Sequence, residues 1–236
     1  MGNDLFKTIK KQSEDERVRL NLKAYDLIAK GVKIIDPKRT DIRGSLTCGE
    51  NVVIDINVIF EGDVVLEDGV IVGANCIVKD CHIGKNTTIH PFSSIDDAVI
   101  GESGFIGPYG RIRPGSCLKN NVQIGNFVEI KNSTIMNKCR INHLSFIGDA
   151  YLAENVTIGA GTITCNHNGN NTNHTSIENN AYIGSGSSLI APINIGANST
   201  IGAGSTITDD VPKGKLVIAR SRQIEIENWQ RAKDLK

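Results

Sequence analysis

An aliphatic side chain recurs at about every sixth position of this sequence, from about residue 46 to residue 211. Glycine directly follows many of these side chains, as in the Ile-Gly pairs that begin at 83, 100, 106, 124, 147, 158, 183, 195 and 201. A β-strand repeats every two residues and an α-helix every 3.6, so neither element by itself gives a period of six. The period instead indicates a solenoid, in which each flat side is one short strand plus one turn, and three sides complete a coil of about 18 residues.

The repeat also predicts how each coil packs. We expect the aliphatic side chain to point into the prism, and the glycine after it to relieve backbone crowding at the turn. An antiparallel sandwich with many short strands is the alternative, but a sandwich has no reason to keep a six-residue register over about 160 residues. We therefore predict an all-β solenoid, a parallel β-helix of hexapeptide repeats, over residues 46–211.

The open ends of a solenoid need to be covered by other segments. Residues 1–45 are expected to form an N-terminal helix and a linker, and residues 212–236 a polar C-terminal tail. Ser13-Glu14-Asp15-Glu16 matches a capping box, which predicts that the helix begins there. Gly31 is placed to end the helix near Lys30, and the charged residues 1–12 are candidates for disorder.

Composition excludes several classes of protein. The 26 basic and 26 acidic side chains give a formal net charge of zero, which disfavours nucleic acid as the main partner because a duplex-binding surface needs excess positive charge. No stretch approaches the roughly 20 apolar residues of a membrane helix, and no secretory signal opens the chain. The six cysteines form no C-x-x-C pair, so we expect a cytoplasmic protein with reduced thiols, most of them in the core.

Residues 164–176 interrupt the repeat. They read TCNHNGNNTNHTS, with two histidines and many asparagines but no aliphatic side chain. Such a segment cannot pack inside the prism, so it is expected to protrude. It could be a tolerated surface insertion, but we favour a lid or site loop, since loops mounted on rigid scaffolds often carry binding and catalytic residues.

Three-sided hexapeptide repeats of this kind resemble the left-handed parallel β-helix of the acyltransferase superfamily. More specific are the stretches Ile42-Arg43-Gly44, GPYGRIRPG (107–115), GNFVEIK (125–131), INHLSFIGDA (141–150), NVTIGAGTITCN (155–166) and Ala219-Arg220. Together they resemble the C-terminal, acetyltransferase half of the bacterial bifunctional N-acetylglucosamine-1-phosphate uridyltransferase/glucosamine-1-phosphate acetyltransferases. The resemblance covers roughly residues 20–230.

The resemblance implies transfer of an acetyl group from acetyl-CoA to the 2-amino group of an amino-sugar phosphate, within the synthesis of UDP-N-acetylglucosamine and cell-envelope precursors. It makes His143 the general base, a role that suits histidine because its pKa lies near neutrality. Backbone N–H groups near Ala160 and Gly161 are candidates for stabilising the oxyanion of the tetrahedral intermediate. The resemblance also implies a homotrimer with active sites between neighbouring β-helices.

Further positions match the contacts that the family makes with its two substrates. On the sugar-phosphate side, Arg113 and Lys131 match the anion contacts, and the other substrate positions are Phe146, Thr157, Asn166 and His167. On the coenzyme side, the matching residues are Ala160, Ser185, Ala203 and Arg220. Small side chains at 160 and 203 would let a pantetheine arm lie against the coil, and Arg220 would meet a coenzyme phosphate.

Four sugar-side positions depart from the family. Phe146 and His167 each stand where the family has tyrosine, Thr157 where it has asparagine, and Thr172 where it has lysine. A hydrogen bond to a charged group is worth about 1.5–3 kcal/mol, so these changes together would weaken binding of glucosamine 1-phosphate by orders of magnitude. His167 or His174 could restore part of that contact. The acceptor is therefore either glucosamine 1-phosphate in a divergent pocket or a different amino sugar.

The family's other half carries a glycine-rich nucleotide loop that this sequence lacks, so we expect no uridyltransferase activity, and no metal is expected for acetyl transfer. Three further interpretations stay open. The chain could be a non-catalytic β-helix partner subunit. It could be an O-acetyltransferase, or a metal-dependent β-helix hydratase, although the spacing of its histidines does not suggest a three-histidine zinc site.

Overall fold

A computed structural model describes residues 2–230, with the side chains from residue 5 onward. One long helix, α1 (Gly2–Ala29), precedes 28 short strands, all of which pair in parallel with the strand one coil away. The strands line three faces of a prism, with one 3₁₀ turn at Pro37–Arg39 in the first coil. This is the predicted parallel β-helix, and about ten coils complete it.

Each face is a column of strands contributed by successive coils. The first face consists of β1 (Lys33–Ile34), β4 (Val53–Ile54), β7 (Ile71–Val72), β9 (Thr88–Ile89), β11 (Phe105–Ile106), β14 (Gln123–Asn126), β17 (Arg140–His143), β20 (Thr157–Ile158), β23 (Tyr182–Ile183), β26 (Thr200–Ile201) and β28 (Leu216–Val217). The second face consists of β2 (Thr40–Ile42), β5 (Val58–Glu61), β8 (Ile77–Ile83), β10 (Ser94–Ile100), β12 (Arg111–Ile112), β15 (Glu129–Lys131), β18 (Phe146–Gly148), β21 (Ile163–Cys165), β24 (Ser188–Ile190) and β27 (Thr206–Ile207). The third consists of the ends of β8 and β10, which bend around the corner, and of β3 (Ser45–Cys48), β6 (Asp63–Leu66), β13 (Ser116–Leu118), β16 (Thr134–Ile135), β19 (Ala150–Leu152), β22 (Thr175–Ile177) and β25 (Ile193–Ile195).

The interior of the prism is almost entirely aliphatic. On the first face the inward residues stack directly on one another, as Ile106 does on Ile124 and Ile124 on Ile141, and all three are fully buried. Complete burial of such a side chain is worth about 1.5–3 kcal/mol. One inward residue per strand therefore supplies a continuous core, which is why a period of six suffices to build the fold.

The glycines after the aliphatic residues allow the coils to approach closely. A Cβ built on Gly84 would lie 2.6 Å from the carbonyl carbon of Gly101 in the next coil, and one on Gly125 would lie 1.9 Å from the carbonyl oxygen of Asn142. Neither glycine has a positive φ. The crowding expected from the sequence is therefore contact with the next coil, and not a special conformation of the turn.

The corners impose a second constraint, because most turns place one residue in the left-handed region of φ. Asparagine, aspartate and glycine tolerate that region best. One corner is built almost wholly of such residues, with Asp80, Asp97, Gly115, Asn132 and Asp149 stacked from coil to coil at φ between 43° and 78°. We call this column the aspartate corner.

The N-terminal helix begins earlier than the capping box predicts. Ser13 lies inside α1, which starts at Gly2. The reason is that residues 5–12 contain no proline or glycine and are rich in helix-forming side chains, and Lys10 and Glu14 form an i,i+4 ion pair across the expected start, at 3.8 Å. The prediction of disorder falls on the same segment and is likewise wrong for residues 2–12.

The end of the helix is as predicted. Gly31 has a φ of 96°, and the amide of Val32 donates to the carbonyl of Leu27 at 3.1 Å, a pattern typical of a glycine stop. Leu20, Ala24 and Leu27 are buried where the helix packs on the first coil. The coils themselves extend beyond 46–211, since β1 begins at Lys33 and β28 reaches Val217.

All six cysteines are free thiols, and Cys76, Cys81 and Cys139 are buried. Burial raises the pKa of each of these three to about 11, so they are inert core residues at neutral pH. Cys48, Cys117 and Cys165 are partly exposed. No helix within residues 2–230 is long and apolar enough to cross a membrane.

A substitution at Gly84 tests the close approach of the coils. We expect Gly84→Ala to lower the free energy of unfolding by about 1–3 kcal/mol, the usual cost of overpacking, because the new methyl group meets backbone atoms that cannot move aside. Gly104→Ala is the matched control, since its nearest neighbours are side-chain atoms at 3.2 Å or more. Equal losses in the two variants, measured by chemical denaturation, would contradict this explanation.

Candidate active site

One corner of the prism, which follows the first face, carries large side chains before His143 and small ones after it. Backbone hydrogen bonds connect the residues of this corner from coil to coil. Leu144 donates to Asn126, Gly161 to His143, Gly186 to Ala160 and Gly204 to Ser185, at 2.7–3.2 Å. We call this column the His143 corner. The ladder stacks four of the predicted site residues, His143, Ala160, Ser185 and Ala203, although they are spread over 61 positions of the sequence.

On the N-terminal side of His143 this corner is bulky. Its left-handed positions hold Phe92, Tyr109, Phe127 and Leu144, which are all about half exposed or more. The rings of Phe92 and Tyr109 stack with centroids 5.0 Å apart, and those of Tyr109 and Phe127 do the same. Beside them lies a groove of about 560 Å³, lined in part by Phe105, Phe127 and His143. The bulky half of the corner is therefore an apolar ledge that ends at the imidazole.

On the C-terminal side of His143 the same corner is nearly bare. The left-handed positions become Gly161, Gly186 and Gly204, at φ between 69° and 74°. A Cβ built on any of the three would have no neighbour closer than 3.8 Å. The adjacent column carries only Ala160, Ser185 and Ala203. At about 4.8 Å per coil, the three steps from His143 to Ala203 form a slot about 14 Å long without large side chains.

Arg220 lies at the far end of this slot. Its Cδ is the atom closest to a Cβ built on Gly204, at 3.8 Å, and its side chain is exposed. The structure thus places all four predicted coenzyme positions along one line that starts at His143. An extended chain with an anionic group at one end fits this line, because only glycine, alanine and serine line it and Arg220 makes it positive where it ends.

His143 itself is oriented by a residue that our sequence analysis missed. Its Nδ1 lies 2.8 Å from the side-chain oxygen of Asn126, one coil earlier. With that oxygen as acceptor, Nδ1 carries the proton and donates it, which leaves the lone pair on Nε2 free to accept a proton. Asn126 is in the matched stretch GNFVEIK, but only the strand register shows that a residue 17 positions before His143 becomes its neighbour.

The second face, between the His143 corner and the aspartate corner, carries the predicted anion contacts. Arg113 donates to Glu129 at 2.8 Å, and Arg111 lies 3.5 Å from the other oxygen of that carboxylate. Lys131 donates to Asp149 at 3.2 Å. Three cations and two carboxylates leave one net positive charge on this part of the face, which suits a bound anion such as a phosphate.

Asn166 and Lys131 meet through Asp149, a second residue that the sequence analysis did not single out. One oxygen of the Asp149 carboxylate accepts from both Lys131 and Asn166, and the other accepts from Asn132 at 2.6 Å. Burial alone would raise the pKa of Asp149, but the hydrogen bonds from Asn132, Asn166 and Lys131 outweigh burial and hold the pKa below its usual range. The carboxylate is therefore ionised at neutral pH.

Phe146 covers the space next to Asn166. A Cβ on Gly148 would lie 2.6 Å from the Cζ of the Phe146 ring and 2.9 Å from the amide nitrogen of Asn166. A side chain at position 148 would therefore push the Phe146 ring or the Asn166 amide aside. The ring thus lies next to Asn166, in the strand that pairs with the strand of Lys131, but it offers no hydroxyl group where the family's tyrosine would.

Two predicted substrate residues do not join this group within one chain. Thr157 is in β20 and pairs with Arg140 and Tyr182 on the first face, whereas Lys131 is on the second. His167 lies in the protruding loop, which turns back as a small hairpin with a bridge from His167 to Thr172. The Nδ1 of His167 accepts from the amide of Gly169 at 3.1 Å, so the ring is tied to its own loop.

Comparisons with known proteins find relatives that match almost the whole chain. The bifunctional protein GlmU of Ralstonia pickettii is 50% identical over 219 residues, which are 93% of this chain and 48% of that protein. GlmU of Nitrosospira multiformis is 52% identical over 216 residues, 92% of this chain and 47% of its own. The predicted resemblance is confirmed. The match falls on the acetyltransferase half of these proteins, and the chain spans about half of their length.

Two further comparisons concern the fold. The family model of the bacterial transferase hexapeptide, described as six repeats, matches residues 174–209, which agrees with the predicted left-handed β-helix of hexapeptide repeats. A UDP-N-acetylglucosamine acyltransferase structure from Bacteroides fragilis aligns with 79% of this chain and 71% of its own, at 20% identity and a TM-score of 0.40. Among the side chains that the structure describes, from residue 5 to residue 230, no group of three or more His, Cys, Asp or Glu is placed to bind a metal.

Proposed function

We propose that this protein transfers an acetyl group from acetyl-CoA to the amino group of an amino-sugar phosphate, with glucosamine 1-phosphate as the first acceptor to test. The observation that carries the proposal is the position of His143. Its imidazole lies where the bare slot begins, and the second face with its net positive charge continues from the same corner. This reaction needs a base that lies between a groove for the extended arm of the acetyl donor and a site for the acceptor's phosphate.

The chemistry assigns one task to His143. An ammonium group cannot attack a thioester, so the acceptor reacts as the neutral amine after losing one proton to solvent, and a base has to remove a second proton as the nitrogen becomes an amide. With Nδ1 bound to Asn126, Nε2 accepts that proton as the amine nitrogen bonds to the thioester carbonyl carbon. The carbon–sulfur bond then breaks, and the proton passes to the departing thiolate of coenzyme A. Asn126 acts as a positioning residue that holds the required tautomer.

Two backbone amides, those of Ala160 and Gly161, are predicted to stabilise the oxyanion of the tetrahedral intermediate, but one of them already has a hydrogen-bond partner. The Gly161 amide donates to the carbonyl of His143 at 3.2 Å as part of the coil ladder. That leaves the amide of Ala160, at the edge of the slot, as the candidate donor. A donor on the rigid coil is preorganised, which is the property that makes such groups effective in catalysis.

For the donor substrate we propose that acetyl-CoA lies along the His143 corner. Ala160, Ser185 and Ala203 would contact the pantetheine arm, and Arg220 would contact a coenzyme phosphate. The bare left-handed glycines support this assignment, because any larger side chain there would fill the slot. The thioester carbonyl then lies next to His143.

For the acceptor we propose that Arg113 and Lys131 bind the phosphate and that Asn166 contacts the sugar. Both cations already have carboxylate partners, so the phosphate would share or displace those contacts. Phe146, Thr157 and His167 occupy the remaining substrate positions with side chains that differ from the family. These differences support a second candidate, the acetylation of another amino sugar at the same site.

We propose that three copies of the chain form a trimer with active sites between them. Thr157 faces outward on the first face and Lys131 on the second, so residues on different faces can serve one substrate only if a neighbouring copy brings them together. The apolar ledge of Phe92, Tyr109 and Phe127 next to His143 gives such a neighbour a surface to cover.

The first experiment measures the release of coenzyme A thiol from acetyl-CoA with glucosamine 1-phosphate. We expect turnover by the wild type and a loss of about 10²–10⁴-fold in kcat for His143→Ala, the usual contribution of a general base. His82→Ala is the matched control, since His82 pairs with Glu67 on another face, and it is expected to stay within about twofold of the wild-type kcat. Coenzyme A binding without turnover on any amino sugar would favour the non-catalytic partner subunit instead.

A second experiment addresses the acceptor. If glucosamine 1-phosphate is the substrate, Phe146→Tyr adds a hydroxyl group next to Asn166 and is expected to lower its KM by about tenfold, one hydrogen bond to a charged group being worth about 1.5–3 kcal/mol. Phe92→Tyr makes the same change on the ledge and serves as the control. A Phe146→Tyr variant that loses activity on every acceptor would show that the pocket is built for a different sugar.

A further inference from the structure

Asp149 is the most highly connected side chain on the second face, and the reaction as described gives it no role. It is 8% exposed and lies at the corner where the face ends. Its two oxygens accept hydrogen bonds from Lys131, Asn132 and Asn166. Two of these donors, Lys131 and Asn166, are the residues proposed to contact the acceptor, and no other described acidic side chain bonds to either of them.

The backbone of Asp149 is connected to the same region. Its amide donates to the carbonyl of Lys131 at 2.9 Å, and its carbonyl accepts from the amide of Thr175 at 3.3 Å. Asn166 opens the protruding loop and Thr175 closes it, so one residue holds both ends of the loop. The segment between them accounts for the extra length of this coil. Ile158 pairs with Ile183, which lies 25 residues later in the sequence, whereas paired residues elsewhere are usually 17 or 18 residues apart.

These contacts differ from those of the other members of the aspartate corner. Asp97 stands three coils earlier in the same column, also at a positive φ, but it is exposed and forms no ion pair with a described lysine or arginine, whereas Asp149 pairs with Lys131. Asn132 shows that the corner accepts asparagine, at a φ of 43°. The fold therefore does not require a buried carboxylate here, and its presence at 149 calls for another reason.

We infer that Asp149 is a positioning residue for the acceptor subsite, which aims the ammonium group of Lys131 and the amide of Asn166 at the phosphorylated sugar and anchors the protruding loop beside them. The inference rests on the proposed function, because the acceptor defines the subsite. Asp149 does not touch the reacting atoms. Its effect is on the binding of the acceptor and not on the donor or on the chemical step.

Asp149→Asn is the appropriate variant. Asparagine is nearly isosteric and suits the left-handed backbone, as Asn132 shows, but it replaces one acceptor oxygen by an amide nitrogen and removes the charge that faces Lys131. We expect the KM for glucosamine 1-phosphate to rise at least tenfold, while kcat and the KM for acetyl-CoA stay within twofold. On a Lys131→Met background the same change is expected to raise the KM by a smaller factor than in the wild type, because the charged partner is gone and only the contact with Asn166 remains to be lost. Asp97→Asn is the matched control and should equal the wild type.

Hydrogen exchange supplies a readout that does not depend on turnover. Amides of residues 166–175 should exchange at least tenfold faster in Asp149→Asn than in the wild type, with the coils on either side unchanged. Unchanged KM together with unchanged loop exchange would overturn the inference, and so would a fall in kcat at constant KM. If the wild type acetylates no amino sugar at all, the proposed function has failed, and the exchange measurement alone then decides whether Asp149 fixes the loop.

Discussion

The backbone ladder between successive coils is the interaction on which the rest of this structure depends. Each coil repeats the one before it at the spacing of parallel strands, about 4.8 Å, so residues of the same position in each coil form straight columns. At its tightest points the ladder leaves no room for a side chain, since a Cβ on Gly125 would lie 1.9 Å from a carbonyl oxygen. Position within the coil, and not distance along the sequence, therefore decides which side chains meet.

The candidate site follows directly from that rule. A change of residue type along a column becomes a change of surface shape along an edge of the prism. At the His143 corner, Phe127 and Leu144 give way to Gly161 and Gly186, and this step creates a slot without bending the backbone. The chemistry is placed by the same means, because Asn126 reaches His143, and Asp149 reaches Lys131, through partners one coil away.

The fold could be predicted because its cause is periodic and local. One buried aliphatic residue in six specifies a strand, a turn and a direction, and the structure repeats that unit through the interruption at 164–176. The start of the N-terminal helix was predicted less accurately than the β-helix. The capping pattern at Ser13 is a local signal, and the helix-forming residues before it outweigh it.

The candidate site was predictable only in part. The resemblance provided His143, Arg113, Lys131 and the coenzyme positions, and the structure places the coenzyme positions on one line. Asn126 and Asp149 were not found, because their importance lies in contacts with residues 17 or 18 positions away, which depend on the length of each intervening coil. Thr157 shows the opposite case, because the resemblance assigned its position to the substrate site, but within one chain it lies on a different face from Lys131.

Binding of acetyl-CoA along the bare half of the His143 corner is the central proposal. A crystal structure of the protein with coenzyme A tests it most directly. We expect the pantetheine arm to lie along Ala160, Ser185 and Ala203, with the sulfur next to the His143 imidazole and a phosphate at Arg220. Coenzyme A bound along a different corner, such as the one formed by Asn155, Asn180 and Asn198, would contradict the claim.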